Sequence, residues 1–277
     1  EEPLPFLCLQ PLYGAGPGHI TGSYQVPPFP EVPPDMVEST GRALNIGWSF
    51  VSYFLQELHL DPSANFLDMA CGYGRIALPL LFYLRAPGDY LGIDIMETHI
   101  AWAARVLSRV HPRFAFRHLP IRNPLYLPDG SLDPAEAVFP VSDASIDLSF
   151  LVSVFTHLLE RESLRYLEEL HRVAREGAHV FVTGFLHDDT TRALEDRRDP
   201  RILITFEHNR GPVAVRDPNV ETRAVAQDKE WFFQAAQDAG FEIQTHIPGI
   251  WSGRRDGFDF QDYLVLRKPV RGGRKHP

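Results

Sequence analysis

Lysine and cysteine are scarce in this sequence. Of the 27 lysines and arginines only three are lysines, Lys229, Lys268 and Lys275. A phosphate-binding P-loop and the ATP-binding strand of a protein kinase both need a lysine, and none precedes residue 229, so both classes are excluded. The two cysteines, Cys8 and Cys71, are too few for a disulfide framework or a cysteine zinc cage. We therefore expect a reducing, cytoplasmic setting.

Long apolar runs and excess positive charge are also missing. No run approaches the roughly 20 apolar residues that span a bilayer, and the acidic, proline-broken opening EEPLPFLCLQ is unlike a signal peptide. The net charge of −9 repels phosphate backbones. We expect neither a membrane nor a nucleic-acid partner, and the sequence leaves the oligomeric state open. The basic stretch RGGRKHP at 271–277 is interpreted as a solvated tail.

The remaining composition is that of a globular protein. The 277 residues are 44% hydrophobic and 23% charged, which is enough for one large or two small domains. Nine of the 24 prolines lie in residues 1–34 and predict an extended arm. Asp35 and Glu38 form a capping-box pattern that opens a helix. We expect one domain over 35–270.

Strand and helix patterns alternate along that domain. The predicted strands lie near 65–70, 90–95, 114–119, 146–152, 179–185, 241–247 and 262–267. The predicted helices lie near 36–59, 75–85, 97–110, 161–175 and 228–239. This alternation predicts an α/β fold, a Rossmann-like doubly wound and mostly parallel sheet with an antiparallel last strand. The turn Asn209-Arg210-Gly211 between apolar residues 202–206 and 213–215 predicts a hairpin, within an insertion over the site at 200–227.

A glycine-rich turn follows the first predicted strand. Gly72-Tyr73-Gly74-Arg75-Ile76-Ala77 has the form G-x-G-x-x-A and opens a helix, so backbone amides can approach a ligand. Asp94 ends the next strand, where a carboxylate can accept the hydroxyls of a ribose. Asp68, just before the turn, opposes a pyrophosphate and suits an ammonium. These residues favour S-adenosylmethionine over a dinucleotide. A tight turn with a solvated Asp94 and a structural Asp68 is the alternative.

The same residues resemble a known family. Residues 68–74 (DMACGYG) are similar to the first motif of class I S-adenosylmethionine-dependent methyltransferases. Residues 143–150 (DASIDLSF) and 175–177 (REG) resemble the approaches to that family's fourth and fifth strands. The resemblance covers about 65–270 and implies in-line methyl transfer from S-adenosylmethionine. The cofactor-binding residues it implies are Asp68, Ala70, Gly72, Gly74, Asp94, Ile95, Leu119 and Ser153.

Two positions depart from the family pattern. Ala70 stands where the family usually has glycine. Pro120 stands where many members have an acid that binds the adenine amino group, so this contact comes from Asn123, from the backbone, or is absent. Ile95, Leu119 and Ile121 either sandwich the adenine ring or pack in the core.

Later stretches resemble a bacterial branch linked to glycans and small secondary metabolites. They are 155–157 (FTH), 251–254 (WSGR) and 260–262 (FQD). They imply a small-molecule or sugar-type acceptor, expected to be methylated at oxygen. The candidate acceptor contacts are Tyr24, Phe155, Trp251 and Arg254. The loop with Trp251 and Arg254 looks too polar for core but could merely bridge two strands. The arm with Tyr24 could close over the site or lie elsewhere.

His157 is the candidate general base. It follows the fourth strand at the ligand-binding edge of the sheet, and imidazole titrates near neutrality. The alternative is that it caps the helix starting near residue 160. His187, Asp188 and Asp189 follow the fifth strand and could be a second base, a divalent metal site or a helix cap. We expect no metal.

Other enzyme classes share parts of this pattern. Asn123-Pro124-Leu125-Tyr126 mimics the N-P-P-Y motif of nucleic-acid amino methyltransferases, but that motif belongs after the fourth strand, where residues 153–156 read SVFT. A nicotinamide oxidoreductase shares G-x-G-x-x-A, although Asp68 and the lack of a Tyr-x-x-x-Lys pair oppose it. A non-catalytic subunit that binds S-adenosylmethionine stays open.

Overall fold

The computed structural model describes residues 40–270, with side chains from residue 45. The predicted arm at 1–34 with Tyr24, and the tail at 271–277, lie outside these residues. The sheets and the cavity described below lie within residues 42–270.

Eleven strands in the described part of the chain form two sheets. The larger contains β1 (Phe66–Met69), β2 (Tyr90–Asp94), β3 (Phe114–His118), β4 (Ile146–Leu151), β5 (Ala174–Gly184), β10 (Glu242–Ile247) and β11 (Asp262–Arg267). The smaller contains β6 (Leu186–His187), β7 (His208–Asn209), β8 (Val213–Val215) and β9 (Val225–Asp228). The α-helices are α1 (Thr40–Glu57), α2 (Ala77–Leu80), α3 (Glu97–Val110), α4 (Glu160–Val173), α5 (Asp189–Asp196) and α6 (Lys229–Asp238). The 3₁₀ helices are Pro134–Glu136, Phe155–His157, Glu221–Arg223 and Ile250–Ser252.

The larger sheet has the order β3-β2-β1-β4-β5-β11-β10. Its pairs are parallel except that β11 runs antiparallel to both β5 and β10. The predicted α/β fold and its antiparallel last strand are confirmed. The chain order reverses between β1 and β4, and in such sheets ligands bind outside the carboxyl ends of the strands at this reversal.

The central strands are buried on both faces, as in other parallel sheets. Leu67 of β1 and Val180 of β5 belong to one continuous core with Leu167 and Leu170 of α4. Leu164, which the pattern places inward, is 37% exposed because the buried stripe of α4 runs through Ser163 and Tyr166 instead. No helix in residues 40–270 is long and apolar enough to cross a membrane.

Two predicted elements differ in the structure. The helix predicted over 75–85 is α-helical only at Ala77–Leu80, and Pro79 lacks the N–H that a longer helix would use. The predicted hairpin turn at Arg210–Gly211 is present, with Gly211 at φ +78°. However, β8 pairs with His208–Asn209 rather than with 202–206. Phe206 packs instead against Phe185.

Candidate active site

A cavity of about 970 Å³ opens at the carboxyl ends of β1, β2 and β4. This is near the upper end of small-molecule sites, which hold about 300–1,000 Å³. Two parts of its lining matter below. The turn wall comprises Ala70, Gly72, Asp94, Ile95 and Leu119. The loop wall comprises His157, Glu162, Tyr166, Glu221 and Thr222.

Asp94 holds the glycine turn in place. Its Oδ2 accepts a hydrogen bond from Gly72 N–H at 2.7 Å, and its Oδ1 accepts one from Met96 N–H at 2.8 Å. Gly72 has φ +55°, and no atom lies within 4 Å of the position that a Cβ would occupy. The backbone at Gly72 therefore borders open space where a ligand can approach.

The turn wall fits the nucleoside part of S-adenosylmethionine. A carboxylate has about four acceptor positions, and the two backbone N–H groups leave part of that capacity at Asp94 for ribose hydroxyls. Asp94 is only 7% exposed, so such bonds would form in a desolvated place. Ile95, Leu119 and Ile121 add apolar surface to the same cavity.

Asp68 and Gly74 do not border the cavity. Asp68 is buried and accepts a hydrogen bond from the Tyr90 hydroxyl at 2.6 Å. Burial raises its pKa to about 7, against the opposing effects of Tyr90 and Arg75. The structure thus places Asp68 behind the turn wall and gives no support to the predicted ammonium contact. Gly74 packs against Leu107 of α3, which explains the need for glycine there.

Ser153 reaches the cavity from the end of β4. It has φ +61°. Its N–H donates to Thr183 Oγ1 at 2.9 Å, and its hydroxyl donates to Gln261 Oε1 at 3.0 Å. The predicted cofactor residues that line the cavity are Ala70, Gly72, Asp94, Ile95, Leu119 and Ser153.

His157 borders the cavity, and its ring is held in one tautomer. Its Nδ1 is 2.7 Å from the carbonyl oxygen of Thr222. Because a carbonyl only accepts, Nδ1 carries the hydrogen and Nε2 carries the lone pair. Burial lowers the pKa of the imidazole, partly offset by the Thr222 bond, so the ring is neutral at neutral pH.

His157 does not cap α4. The N-cap position belongs to Leu159, whose N–H donates to Glu162 Oε2 at 2.5 Å. The helix-cap alternative for His157 is therefore wrong. The 3₁₀ helix that carries His157 is held by Gln227, whose amide donates to Phe155 O at 3.0 Å and Leu158 O at 2.9 Å.

Three predicted acceptor contacts are placed elsewhere. Phe155 is buried in the core and packs edge-on against Phe232. Trp251 is 0% exposed, and its Nε1–H donates to Asp262 Oδ2 at 2.6 Å. The expectation that Phe155 and Trp251 contact the acceptor is wrong, because both side chains are buried away from the cavity. The glycine-rich loop can bury Trp251 because the Asp262 carboxylate accepts the hydrogen bond of the indole.

Arg254 also stays out of the cavity. Its guanidinium donates to Asp188 Oδ2 at 2.7 Å and to Asp256 at 2.9 Å. Asp188 itself caps α5 by accepting from Thr191 N–H at 2.9 Å. The helix-cap interpretation of Asp188 is confirmed, and Arg254 stabilises that cap instead of contacting the acceptor. Residues 45–270 contain no group of three or more His, Cys, Asp or Glu placed to hold a metal.

Several lining residues carried no sequence signal. Glu162 and Tyr166 lie on a helix that was predicted only from its apolar side. Glu221 and Thr222 lie in a 3₁₀ helix with no recognisable motif. Only the turn at Gly211 indicated that this segment approaches the site.

Comparison with known families decides the class of the domain. Residues 67–182 match the family described as Methyltransferase domain. This region of the chain is similar to a methyltransferase domain. Its cofactor is S-adenosylmethionine, and its enzyme class is that of the S-adenosylmethionine-dependent methyltransferases. The oxidoreductase alternative is thereby overturned.

Solved structures share the fold of this methyltransferase domain at low identity. A SAM-dependent methyltransferase from Methanosarcina mazei is 20% identical, with a TM-score of 0.51 and coverage of 78% of this chain and 98% of that one. One from Aquifex aeolicus is 16% identical, with a TM-score of 0.51 and coverage of 87% and 100%. The magnesium protoporphyrin IX methyltransferase of Synechocystis PCC 6803, with bound SAH, is 15% identical, with a TM-score of 0.51 and coverage of 86% and 89%. At these identities the likeness concerns the fold.

Proposed function

We propose that this protein methylates an oxygen of a small-molecule or sugar-type acceptor, with His157 as the general base. One observation carries the proposal. An imidazole whose Nδ1–H is tied to the Thr222 carbonyl at 2.7 Å lies in the same cavity as the turn wall. No described residue is bonded to its Nε2, so the lone pair there is available to an acceptor hydroxyl.

The cofactor supplies a methyl group already activated by a sulfonium. The protein then has two tasks. The turn wall fixes the nucleoside, so that the acceptor oxygen can approach in line, and positioning of this kind is a large part of the rate gain. His157 Nε2 takes the proton of the acceptor hydroxyl while the O–C bond forms and the C–S bond breaks, with the electron pair staying on sulfur.

The rest of the cavity suits a small polar acceptor. Tyr126 borders it and packs edge-on against His157, with ring centroids 5.3 Å apart. Aromatic edges combined with carboxylates and hydroxyls are suited to an acceptor with several polar groups. We also propose that the protein belongs to the bacterial branch linked to glycans and small metabolites. The net charge of −9 is unfavourable for a nucleic-acid acceptor, and we propose none.

The test compares His157→Ala with His59→Ala, which alters an exposed histidine outside the cavity. We expect His157→Ala to lower kcat by about 10²–10⁴ while the affinity for S-adenosylhomocysteine is unchanged. The unmodified enzyme should lose activity in acid only below the usual range of imidazole, because burial lowers the pKa of His157. The variant should lack this acid limb.

Two results would contradict the role of His157. A drop of only a few fold with the acid limb intact would mean that catalysis rests on positioning alone. Tight cofactor binding without any transfer, across a broad panel of hydroxylated acceptors, would favour a non-catalytic subunit.

A further inference from the structure

Three carboxylates of the cavity lie close enough to influence one another. Asp133 is paired with Arg122 at 3.0 Å, and Glu221 is paired with Arg210 at 2.5 Å. Glu162 lines the same cavity and forms no ion pair with any residue from 45 to 270. Of the three carboxylates, Glu162 is therefore the one without an ion-pair partner among these residues.

The surroundings of Glu162 are partly desolvated. Burial raises its pKa, and the charges of Asp133 and Glu221 raise it further, while the bond from Leu159 and the exposed Arg161 lower it. The Leu159 N–H occupies only Oε2. A positively charged group beside Glu162 would relieve the repulsion among these acids.

Two hydroxyls of the loop wall lack hydrogen-bond partners among the described residues. Tyr166, one helical turn after Glu162, is 5% exposed, and its ring packs edge-on against Phe139. Its hydroxyl has no hydrogen-bond partner among the described residues, although Tyr166 lines the cavity. Thr222 is 8% exposed, and its Oγ1 is also unpaired. Because buried polar groups are normally hydrogen-bonded, the Thr222 hydroxyl indicates a ligand, and the Tyr166 hydroxyl is free to bind the same ligand.

We propose that Glu162, Tyr166 and Thr222 bind an ammonium group of the acceptor, so that the substrate class is an amino alcohol or amino sugar. An ammonium has three N–H donors and no acceptor. One carboxylate and two hydroxyl oxygens supply three acceptors and the missing counter-charge. This inference rests on the proposed function for the reacting oxygen.

The arrangement also selects the atom that is methylated. Nitrogen held as an ammonium beside Glu162 has no lone pair and cannot attack a methyl group. By contrast, an acceptor hydroxyl that donates a hydrogen bond to His157 Nε2 can transfer its proton to that nitrogen and attack the methyl group. Thr222 joins the two halves, because its carbonyl orients His157 and its hydroxyl belongs to the ammonium subsite.

Binding is measured by saturation-transfer NMR with S-adenosylhomocysteine present, at a pH below the pKa of the amines. The probe pairs are D-glucosamine against D-glucose, and ethanolamine against ethylene glycol. Glu162→Gln keeps a side-chain acceptor for the Leu159 cap but removes the charge. Glu168→Gln is the matched control, since Glu168 is an exposed carboxylate on α4 outside the cavity.

The unmodified protein should prefer the amine of each pair. Glu162→Gln should reduce that preference about 10-fold or more, the scale of a charged hydrogen bond, and Tyr166→Phe should reduce it about 2–10-fold. Glu168→Gln should leave it intact. His157→Ala should keep the preference while losing transfer, which separates this subsite from the general base.

The inference is overturned if neither probe pair shows a preference for the amine, or if Glu162→Gln retains it. It is also overturned if the methyl group is found on the amine nitrogen. A further comparison uses S-adenosylhomocysteine and S-inosylhomocysteine, which lacks the adenine amino group. Selective weakening of the former by Glu162→Gln would assign Glu162 to adenine and not to the acceptor. If the amine preference holds but no oxygen is methylated, the proposed function fails and the ammonium subsite stands.

Discussion

The turn wall and the loop wall of the cavity are built in different ways. The turn wall comes from the ends of three adjacent parallel strands, β1, β2 and β3, and the register of β1 with β2 pairs Met69 with Ile93. Its main hydrogen bond joins Gly72 N–H to Asp94, two residues that are 22 positions apart in the sequence. The loop wall is assembled from α4 and two 3₁₀ helices. One wall is therefore fixed by sheet geometry, whereas the other can vary with loop sequence, as the proposed role in binding the acceptor requires.

Substitution at Gly74 should have the largest effect on the turn wall. A Cβ at Gly74 would lie 2.6 Å from Leu107 Cδ1, at φ +85°. We expect Gly74→Ala to lower the free energy of unfolding by about 2–4 kcal/mol, from the left-handed backbone and the overpacking together. Urea unfolding measures this.

Gly72→Ala is the matched control within the same turn. The new Cβ would be in a left-handed backbone conformation but would contact no other atom. We therefore expect the free energy of unfolding to fall by about 1–2 kcal/mol. Equal losses at the two glycines would show that Gly74 does not anchor the turn against α3.

Asp94→Ala should have the next largest effect, which is weaker cofactor binding. We expect the affinity for S-adenosylhomocysteine to fall by about 1–3 kcal/mol, or roughly 5–150-fold, because a charged partner of the ligand and of the Gly72 turn is lost. Calorimetry measures this, with the exposed Asp89→Ala as control. An unchanged affinity would remove Asp94 from the cofactor site and end the distinction between the two walls.

Asp68 should affect the pH dependence of stability rather than the affinity for the cofactor. Its pKa is about 7 in the folded protein and about 4 when unfolded. The folded state thus retains a proton that the unfolded chain releases, so stability falls as pH rises from about 4 to about 7. Asp68→Asn, which can still accept from Tyr90, should flatten this slope by up to about 1.4 kcal/mol per pH unit. An identical slope in the variant would mean that Asp68 is ionised behind the turn wall.

The turn wall could be predicted from the sequence because its signals are local. Gly72 and Asp94 occupy positions set by a strand, a turn and the next strand. The ammonium contact predicted for Asp68 finds no support, because strand alternation turns the Asp68 side chain toward Tyr90 and away from the cavity. The sequence did not predict that Trp251 is buried, because no local pattern shows that its indole N–H donates a hydrogen bond to Asp262.

The loop wall could not be predicted in the same way. His157 and Thr222 are 65 residues apart, and Gln227 and Phe155 are 72 apart. These contacts depend on how β8 and β9 pack beside the 3₁₀ helix, which no short pattern encodes. Only His157 carried a signal, namely its position after β4.

The most direct test of the account is the fate of a labelled methyl group. The enzyme is incubated with isotope-labelled S-adenosylmethionine and a mixture of small hydroxylated metabolites, and products are located by fragmentation mass spectrometry. We expect label on an oxygen with the unmodified enzyme, and little with Asp94→Ala or His157→Ala, of which only Asp94→Ala loses cofactor affinity. Label on nitrogen, or undiminished transfer in His157→Ala, would contradict oxygen methylation assisted by the loop wall.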